Sequence, residues 1–309
     1  MNIKEGEIFG LLGPNGAGKT TTMNMLCTIL NPTSGYAKIG GYDVFKEREE
    51  VRRSIGIVFQ DPCIDNFLTG RENLAFHATM YHMKKREREY RISEVLDLLD
   101  LKGKENIKID DCPAGVQRRF EVARGFMNHP KVLFLDEPTI GLDIVARRKL
   151  WEYIRRLNDS EGMTIILTTH YIEEADYLCD RVAVIDNGRI KVIDTPDNLK
   201  NSIGKDVISL EIENGRRKEF LNVLTGLDWI EKVEAYNNSF ELSVSGGDER
   251  VPELVNLADE NGFTISSIDS HKPTLEDTFI HYVGKTIRES EGSMKEERKA
   301  RRARRRGRR

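Results

Sequence analysis

Nine consecutive residues constrain this chain more than any others: Gly13, Pro14, Asn15, Gly16, Ala17, Gly18, Lys19, Thr20 and Thr21. They fit the pattern G-x-x-x-x-G-K-[ST] through Gly13, Gly18, Lys19 and Thr20. Upstream, Glu7 to Leu12 is a short apolar run of strand type. Downstream, Met23, Leu26, Cys27 and Leu30 recur at i, i+3, i+4 and i+7, the spacing of a helix that buries one face. A glycine-rich loop between strand and helix lets the backbone curl until its N–H groups point inward at phosphate oxygens. The helix N-terminus adds partial positive charge at the same place. Lys19 then reaches the β- and γ-phosphates, and the Thr20 hydroxyl a Mg²⁺ ion. The stretch implies a nucleoside triphosphate ligand.

A length of 309 residues suggests one larger and one smaller domain. Apolar residues at 39% beside 32% charged describe a soluble chain with enough material for a core. No apolar run approaches the roughly 18 residues that cross a bilayer, and the N-terminus lacks the apolar core of a secretory signal. Cys27, Cys63, Cys112 and Cys179 show no C-x-x-C spacing, which predicts reduced cytosolic thiols and argues against zinc. The net charge of −3 conceals an asymmetry. Lys295 to Arg309 carries ten basic residues against two acidic ones, leaving 38 basic and 49 acidic groups, a net of −11, over the other 294. An acidic globule thus ends in a cationic tail.

Taken in order, Asn31 to Gly35 reads as a turn and Tyr36 to Ile39 as a short strand. Arg52 to Gln60 leads into another strand with Gln60 at its tip. Glu72 to about Leu101 is helical, with the charged run Lys84 to Arg91 expected as a solvated face, and Gly115 to Met127 is a further helix. Val132 to Leu135 is wholly apolar and ends in Asp136-Glu137-Pro138. Met163 to Thr169 repeats that form and delivers His170. Such runs mark strands of a parallel sheet covered by helices on both faces. Val182 to Asp186, Asn187-Gly188 and Arg189 to Ile193 predict a hairpin with a type I′ turn.

Gln60, Asp136, Glu137 and His170 each follow a predicted strand, and ligands of open α/β sheets sit beyond the carboxyl ends of strands. All four are therefore expected to converge on the phosphates held by Lys19. Asp136 is placed to hold Mg²⁺, Glu137 to polarise the attacking water and His170 to sense the γ-phosphate. Past Ser202 the composition changes. Strands at 207–213, 229–236, 240–245 and 263–268 alternate with helices at 218–224 and 251–260. This is the β-α-β-β-α-β order of a ferredoxin-like domain. A capping-box start at Thr274 and Asp277 announces a last helix through about Ile287. His271 and His281 stand alone in the sequence, with ordinary surface or packing roles.

The set resembles the ABC transporter ATPases. GPNGAGKTT looks like their Walker A, and Val132 to Pro138 like Walker B with its catalytic Glu137. Gly141-Leu142-Asp143 resembles the D-loop, Gln60 the Q-loop and His170 the switch histidine. The wording EIFGLLGPNGAGKTT and EPTIGLD, with a C-terminal module ending KPTLEDTF, is most similar to the drug-export branch typified by daunorubicin-resistance ATP-binding proteins. The resemblance, over about residues 1–285, implies an α/β P-loop NTPase fold over 1–203 with a helical subdomain at about 61–127. A small ferredoxin-like α+β accessory domain follows at 204–287, and then a disordered basic tail at 288–309. It further implies that Thr20, Gln60 and Asp136 bind Mg²⁺ and that two ATP molecules lie between head-to-tail subunits in a homo- or heterodimer. Hydrolysis drives separate membrane permease subunits from the cytoplasmic face, exporting a drug-like or lipid cargo. Two rival readings are a non-transport ATPase on ribosome or nucleic acid and a catalytically weak regulatory half of a heterodimer.

Two departures bear on this. The family signature L-S-G-G-Q falls ungapped on Cys112, Pro113, Ala114, Gly115 and Val116. Pro113 thus replaces a serine whose hydroxyl the resemblance places on the partner's γ-phosphate, and Ala114 adds a Cβ. Weakened turnover is expected. Secondly, twelve residues precede Gly13, where the family has a further strand carrying an aromatic that stacks on adenine. Nucleotide affinity and base selectivity are expected to drop, unless the natural start lies upstream. The basic tail is too charged to fold alone. Solvated disorder and anionic lipid are its leading readings, with nucleic acid least favoured.

Overall fold

The computed structural model describes residues 1–203, 206–213, 216–236 and 239–283. Their contacts divide the chain after Ile193, and each unit has its own core.

In the first unit, β1 (Ile8–Leu12) leads through the glycine-rich loop into α1 (Lys19–Leu26). A two-stranded ribbon, β2 (Lys38–Ile39) and β3 (Tyr42–Asp43), precedes α2 (Arg48–Ser54) and β4 (Ile55–Val58). Helices α3 (Gly70–Met80), α4 (Lys85–Leu98) and α5 (Ala114–Phe126) follow in succession. Then β5 (Val132–Asp136), α6 (Ile144–Glu161), β6 (Thr164–Thr169) and α7 (Ile172–Leu178) alternate, before β7 (Arg181–Asp186) and β8 (Arg189–Asp194). Six strands form one sheet in the order β4-β5-β6-β1-β7-β8. The pairs from β4 through to β7 are parallel. Register sets Val58 beside Leu135, Asp136 beside Thr168 and Leu12 beside Thr169. The segments leaving β4, β5, β6 and β1 therefore open along one edge. Every residue of β1, β5 and β6 is buried, as strands covered on both faces require. Helix α5 lies unusually close to β4: a Cβ on Gly56 would sit 2.0 Å from the Gly125 carbonyl oxygen. Only glycine permits that approach of helix backbone to strand backbone.

Between β7 and β8, Asn187 (φ 49°) and Gly188 (φ 72°) both take positive φ, as a type I′ turn demands. Elsewhere the pattern misleads. Thr28 turns left-handed at φ 63° just beyond α1, so Leu30, expected on the buried face, is 45% exposed. Arg52–Ser54, expected on the way into a strand, belong to α2, and Tyr36 lies exposed ahead of β2. The helical stretch from Glu72 is two helices, interrupted where His82 takes φ 58°. The run Lys84–Arg91 is not uniformly solvated, since Arg91 is 1% exposed. Its guanidinium donates to the Phe126 and Met127 carbonyls at 2.8 and 3.3 Å, pairs with Glu94 at 2.7 Å and lies over the Phe126 ring. Carbonyls left unpaired at the end of α5 make that burial tolerable.

The second unit begins with α8 (Pro196–Asn201) and β9 (Asp206–Ile212). Then come α9 (Arg217–Leu224), β10 (Ile230–Tyr236), β11 (Ser239–Val244), α10 (Gly247–Glu260), β12 (Ile265–His271) and α11 (Leu275–Val283). The antiparallel sheet runs β10-β11-β9-β12. The first and third strands are thus central, the ferredoxin-like arrangement. Leu210, Phe220, Phe240, Leu242 and Leu254 are central to its core. Thr274 and Asp277 form the expected capping box, with Thr274 N–H donating to Asp277 at 2.6 Å and Asp277 N–H to Thr274 Oγ1 at 3.2 Å. The two histidines are not isolated: His271 meets Asp277 at 3.2 Å and His281 meets Glu234 at 3.2 Å. Asn237 and Asn238, which join the second and third of these strands, the expected extension of the last helix to Ile287 and the basic tail lie outside the described residues.

Candidate nucleotide site

The loop from Gly13 to Gly18 closes tightly on itself, Ala17 N–H donating to the Pro14 carbonyl at 3.1 Å. Gly16 (φ 81°) and Gly18 (φ 103°) take left-handed conformations, the kind from which anion-binding backbone nests are built. Lys19 follows as the first residue of α1 and is 6% exposed. Its ammonium donates to the Gly13 carbonyl at 2.9 Å and the Pro14 carbonyl at 3.3 Å, and pairs with Glu137 at 3.2 Å. One residue on, Thr20 Oγ1 donates to Asp136 Oδ1 at 3.2 Å.

Asp136 ends β5 and is 3% exposed. Thr168 Oγ1, its neighbour on β6, donates to the same carboxylate and accepts the Glu137 N–H at 3.1 Å. Glu137 has φ 48°, a left-handed backbone rare outside glycine. From that turn its carboxylate meets Lys19 on one oxygen and His170 Nδ1 on the other. Burial alone would raise the Glu137 carboxyl, but the His170 hydrogen bond and the Lys19 charge outweigh it and hold it below its ordinary value. The His170 ring packs on Tyr171 at 4.1 Å, and the Arg147 guanidinium lies over that tyrosine at 3.9 Å.

The structure therefore brings Lys19, Thr20, Asp136, Glu137 and His170 into one hydrogen-bonded group. Gln60, two residues past β4, is exposed. Pro113 is the N-cap of α5, and Ala114, Gly115 and Val116 form its first turn. A Cβ on Gly115 would sit 2.9 Å from Ala146 Cβ. Asp143 caps α6 by accepting the Ala146 N–H at 2.9 Å. Sequence reasoning passes over Thr168, Arg118 and Glu174, all buried around this group. Arg118 donates to four backbone carbonyls, those of Phe59, Asp136, Glu137 and Pro138. No spacing rule marks an arginine whose partners are carbonyls. The one available signal is the adjacency of Arg118 and Arg119 inside an otherwise core-forming helix.

Comparison with known proteins fits this geometry. The family described as ABC transporter matches residues 1–140, and that described as ATP-binding protein DrrA1-3-like, C-terminal domain, matches residues 195–283. The chain is 34% identical to the linearmycin resistance ATP-binding protein LnrL of Bacillus subtilis, over 94% of this chain and 93% of that one. It is 37% identical to the daunorubicin resistance ATP-binding protein DrrA2 of Streptomyces coeruleorubidus, over 92% and 88%. Among solved structures it is similar to cbiO1 from Clostridium perfringens, part of the ABC transporter complex cbiONQ, with a TM-score of 0.61 at 31% identity. That match covers 64% of this chain and 81% of the other. The dimeric, post-hydrolysis ATP-binding cassette MJ0796 bound to ADP and Pi gives a TM-score of 0.57 at 30% identity, over 63% and 88%.

Proposed function

This chain belongs to the ATP-binding subunits of ABC transporters, in the branch of the drug-resistance exporters, and from that premise we propose how its site works and what it serves. It binds nucleotide and hydrolyses ATP to drive efflux. The backbone of Gly13–Thr21 and the Lys19 ammonium grip the β- and γ-phosphates, whose oxygens compete with Glu137 for that cation. Thr20 and Asp136, a hydroxyl 3.2 Å from a carboxylate oxygen, form the oxygen-rich pair that a hard cation takes, with the Gln60 amide as a further donor. Mg²⁺ bound there supplies charge neutralisation on the phosphate oxygens. Glu137 accepts a proton from water as the water oxygen attacks the γ-phosphorus, and the β–γ bridging oxygen departs on ADP with its electron pair. His170 orients that carboxylate and contacts the γ-phosphate.

The observation that carries this reading is the buried Glu137 carboxylate, set between Lys19 at 3.2 Å and His170 Nδ1. Glu137→Gln keeps the shape and removes the base. We expect kcat to fall by about 100-fold or more, with binding of an ATP analogue retained. Unchanged turnover in that variant overturns the assignment.

The second subunit meets this one through Pro113–Val116 and Asp143, and a separate membrane permease receives the stroke. Among the described residues no helix is long and apolar enough to cross a membrane, which suits a subunit held peripherally on the cytoplasmic face. The relatives named for linearmycin and daunorubicin resistance support a drug-like or lipid cargo. The ferredoxin-like unit serves as an accessory module. Pro113 and Ala114 also support a second reading, a weakly hydrolysing half of a heterodimer.

A further inference from the structure

Arg118 has a position that the reaction outlined above does not use. It is 7% exposed on the second turn of α5, and it makes no ion pair among the described residues. Instead its planar fork donates to the Pro138 carbonyl at 2.7 Å, the Phe59 carbonyl at 2.8 Å, the Asp136 carbonyl at 3.2 Å and the Glu137 carbonyl at 3.3 Å. A buried guanidinium spent on neutral acceptors is expensive unless their relative placement matters.

Two of those oxygens belong to the peptide planes on either side of Glu137. The φ and ψ angles of a residue are the rotations between its two flanking peptides. Holding both oxygens therefore fixes both angles. The first peptide is also held from its other side, where Glu137 N–H donates to the Thr168 carbonyl and hydroxyl, each at 3.1 Å. Those angles are the strained ones, with φ at 48°, and they send the carboxylate to Lys19 and His170.

The same face of α5 clasps the chain around Gln60. Arg124 donates to the Ile57 carbonyl at 3.2 Å, Arg118 to that of Phe59, and Glu121 accepts the N–H groups of Cys63 and Ile64 at 2.6 and 3.0 Å. Arg118, Glu121 and Arg124 are spaced three apart and so share one side of the helix. Helix α5 begins at Ala114, one turn before Arg118. A displacement of that end moves the guanidinium, and with it the peptides that define Glu137.

We propose that Arg118 is the positioning residue for Glu137: it holds the carboxylate's strained backbone and couples it to the start of α5. The inference rests on the reading of Glu137 as the base. Arg118 touches neither phosphate nor water in this role. Its work is done entirely through backbone carbonyls, which a lysine cannot reproduce. An ammonium is a compact point charge, whereas these acceptors lie along separate arms of a rigid fork.

The test uses the purified full chain carrying Arg118→Gln or Arg118→Lys. Each is read as kcat, KM for ATP, affinity for a fluorescent ATP analogue, and Tm. Misplacing a catalytic group by about 1 Å costs on the order of 100-fold in rate, and that loss is expected in kcat for both variants. KM and analogue affinity should stay within about threefold, the signature of an interaction felt only in the transition state. Arg118→Gln combined with Glu137→Gln should bring no further loss, because both changes remove the work of one carboxylate. Recovery of kcat in the lysine variant overturns the proposal, since charge alone then suffices. So does a loss confined to KM or Tm. Should Arg118→Gln fail to fold, the lysine variant carries the same test; failure of both to fold also overturns it, because Arg118 then serves the fold. A failure of the underlying reading is visible separately, as normal turnover in Glu137→Gln alone.

Discussion

Glu174 shows how a residue inside an element can frame the site. It is fully buried on α7, and its Oε1 accepts from Thr139 Oγ1 at 2.8 Å and Trp151 Nε1 at 2.9 Å. Burial raises the carboxyl above its ordinary value of 4.5, outweighing the hydrogen bonds that favour the anion. The folded chain therefore keeps a proton that the unfolded chain releases as pH climbs past about 4.5, and this group's contribution to stability falls with rising pH. Glutamine cannot titrate, so Glu174→Gln should match or exceed the parent in stability at pH 8 and flatten the decline between pH 5 and pH 8. Glu174→Leu should lose about 2–4 kcal/mol, since Trp151 and Thr139 are each left with a buried unpaired donor. Urea midpoints at the two pH values decide it; equal damage from both substitutions means that the ionised carboxylate is required. Lys19, Asp136 and His170 can be read from sequence because each sits at a motif position or at a strand end. Glu174, Thr168 and Arg118 lie inside elements, where an acid, a hydroxyl or a cation looks like surface until the packing around it is known.

Among the elements, α5 concentrates the departures from the family pattern. Its N-cap is Pro113, which supplies no side-chain cap, although proline suits a helix start because the N–H it lacks would be unpaired there. The helix dipole still points outward from Ala114. Set against the expected signature L-S-G-G-Q, the sequence lacks the serine hydroxyl that the proposed dimer would place on a partner's phosphate. One hydrogen bond to a charged group is worth about 1.5–3 kcal/mol, or roughly 10- to 150-fold in turnover. Pro113→Ser with Ala114→Gly should raise ATP turnover by that factor, and turnover equal to that of the unaltered chain removes the argument. Glycine at Gly115 is needed for a different reason, the 2.9 Å approach to Ala146. Helix α6 repeats a lesson in legibility. Leu150, Ile154 and Leu157 are buried at i, i+4 and i+7, a plain helical face. The basic run Arg147-Arg148-Lys149 and the pull of the neighbouring motifs hide it, and sequence reading leaps from Asp143 to the next strand. The turn at Thr28 is harder still, because nothing in a threonine announces a left-handed stop.

At the scale of the whole molecule, two cores imply two separable stabilities, and each holds one of the chain's two tryptophans. Trp151 reports the nucleotide-binding unit and Trp229 the ferredoxin-like one. The β-α-β-β-α-β order of the second unit can be read from alternation alone. The fate of its outer sheet face cannot. Period two puts Glu241 opposite the buried Phe240, Leu242 and Val244, which reads as solvent. Instead a small cleft forms there, lined by Val207, Glu234, Glu241 and Ser243 from the sheet and by Asp277 and His281 from α11. Burial, then the like charges of Asp277, Glu234 and Glu276, push the Glu241 carboxyl up from 4.5 to about 7, against a smaller opposing pull from His271. The unfolded chain ionises this group near pH 4.5 and the folded chain only near 7, so the unit loses stability across that window as pH rises and stays at the lower level above it. A displacement of that size is worth at most roughly 3 kcal/mol, and the group's partial exposure screens it to about 1 kcal/mol. Glu241→Gln should therefore stabilise the ferredoxin-like unit by about 1 kcal/mol at pH 8 and leave it unchanged near pH 4.5. The transition of the Trp151 unit should not move. Urea unfolding followed by fluorescence, with a Trp229→Phe chain to separate the two signals, reads both units at once. If the Trp229 transition keeps its full slope between pH 5 and pH 8 in the glutamine variant, the titrating group lies elsewhere in the cleft, and Glu241 does not govern how this unit answers to pH.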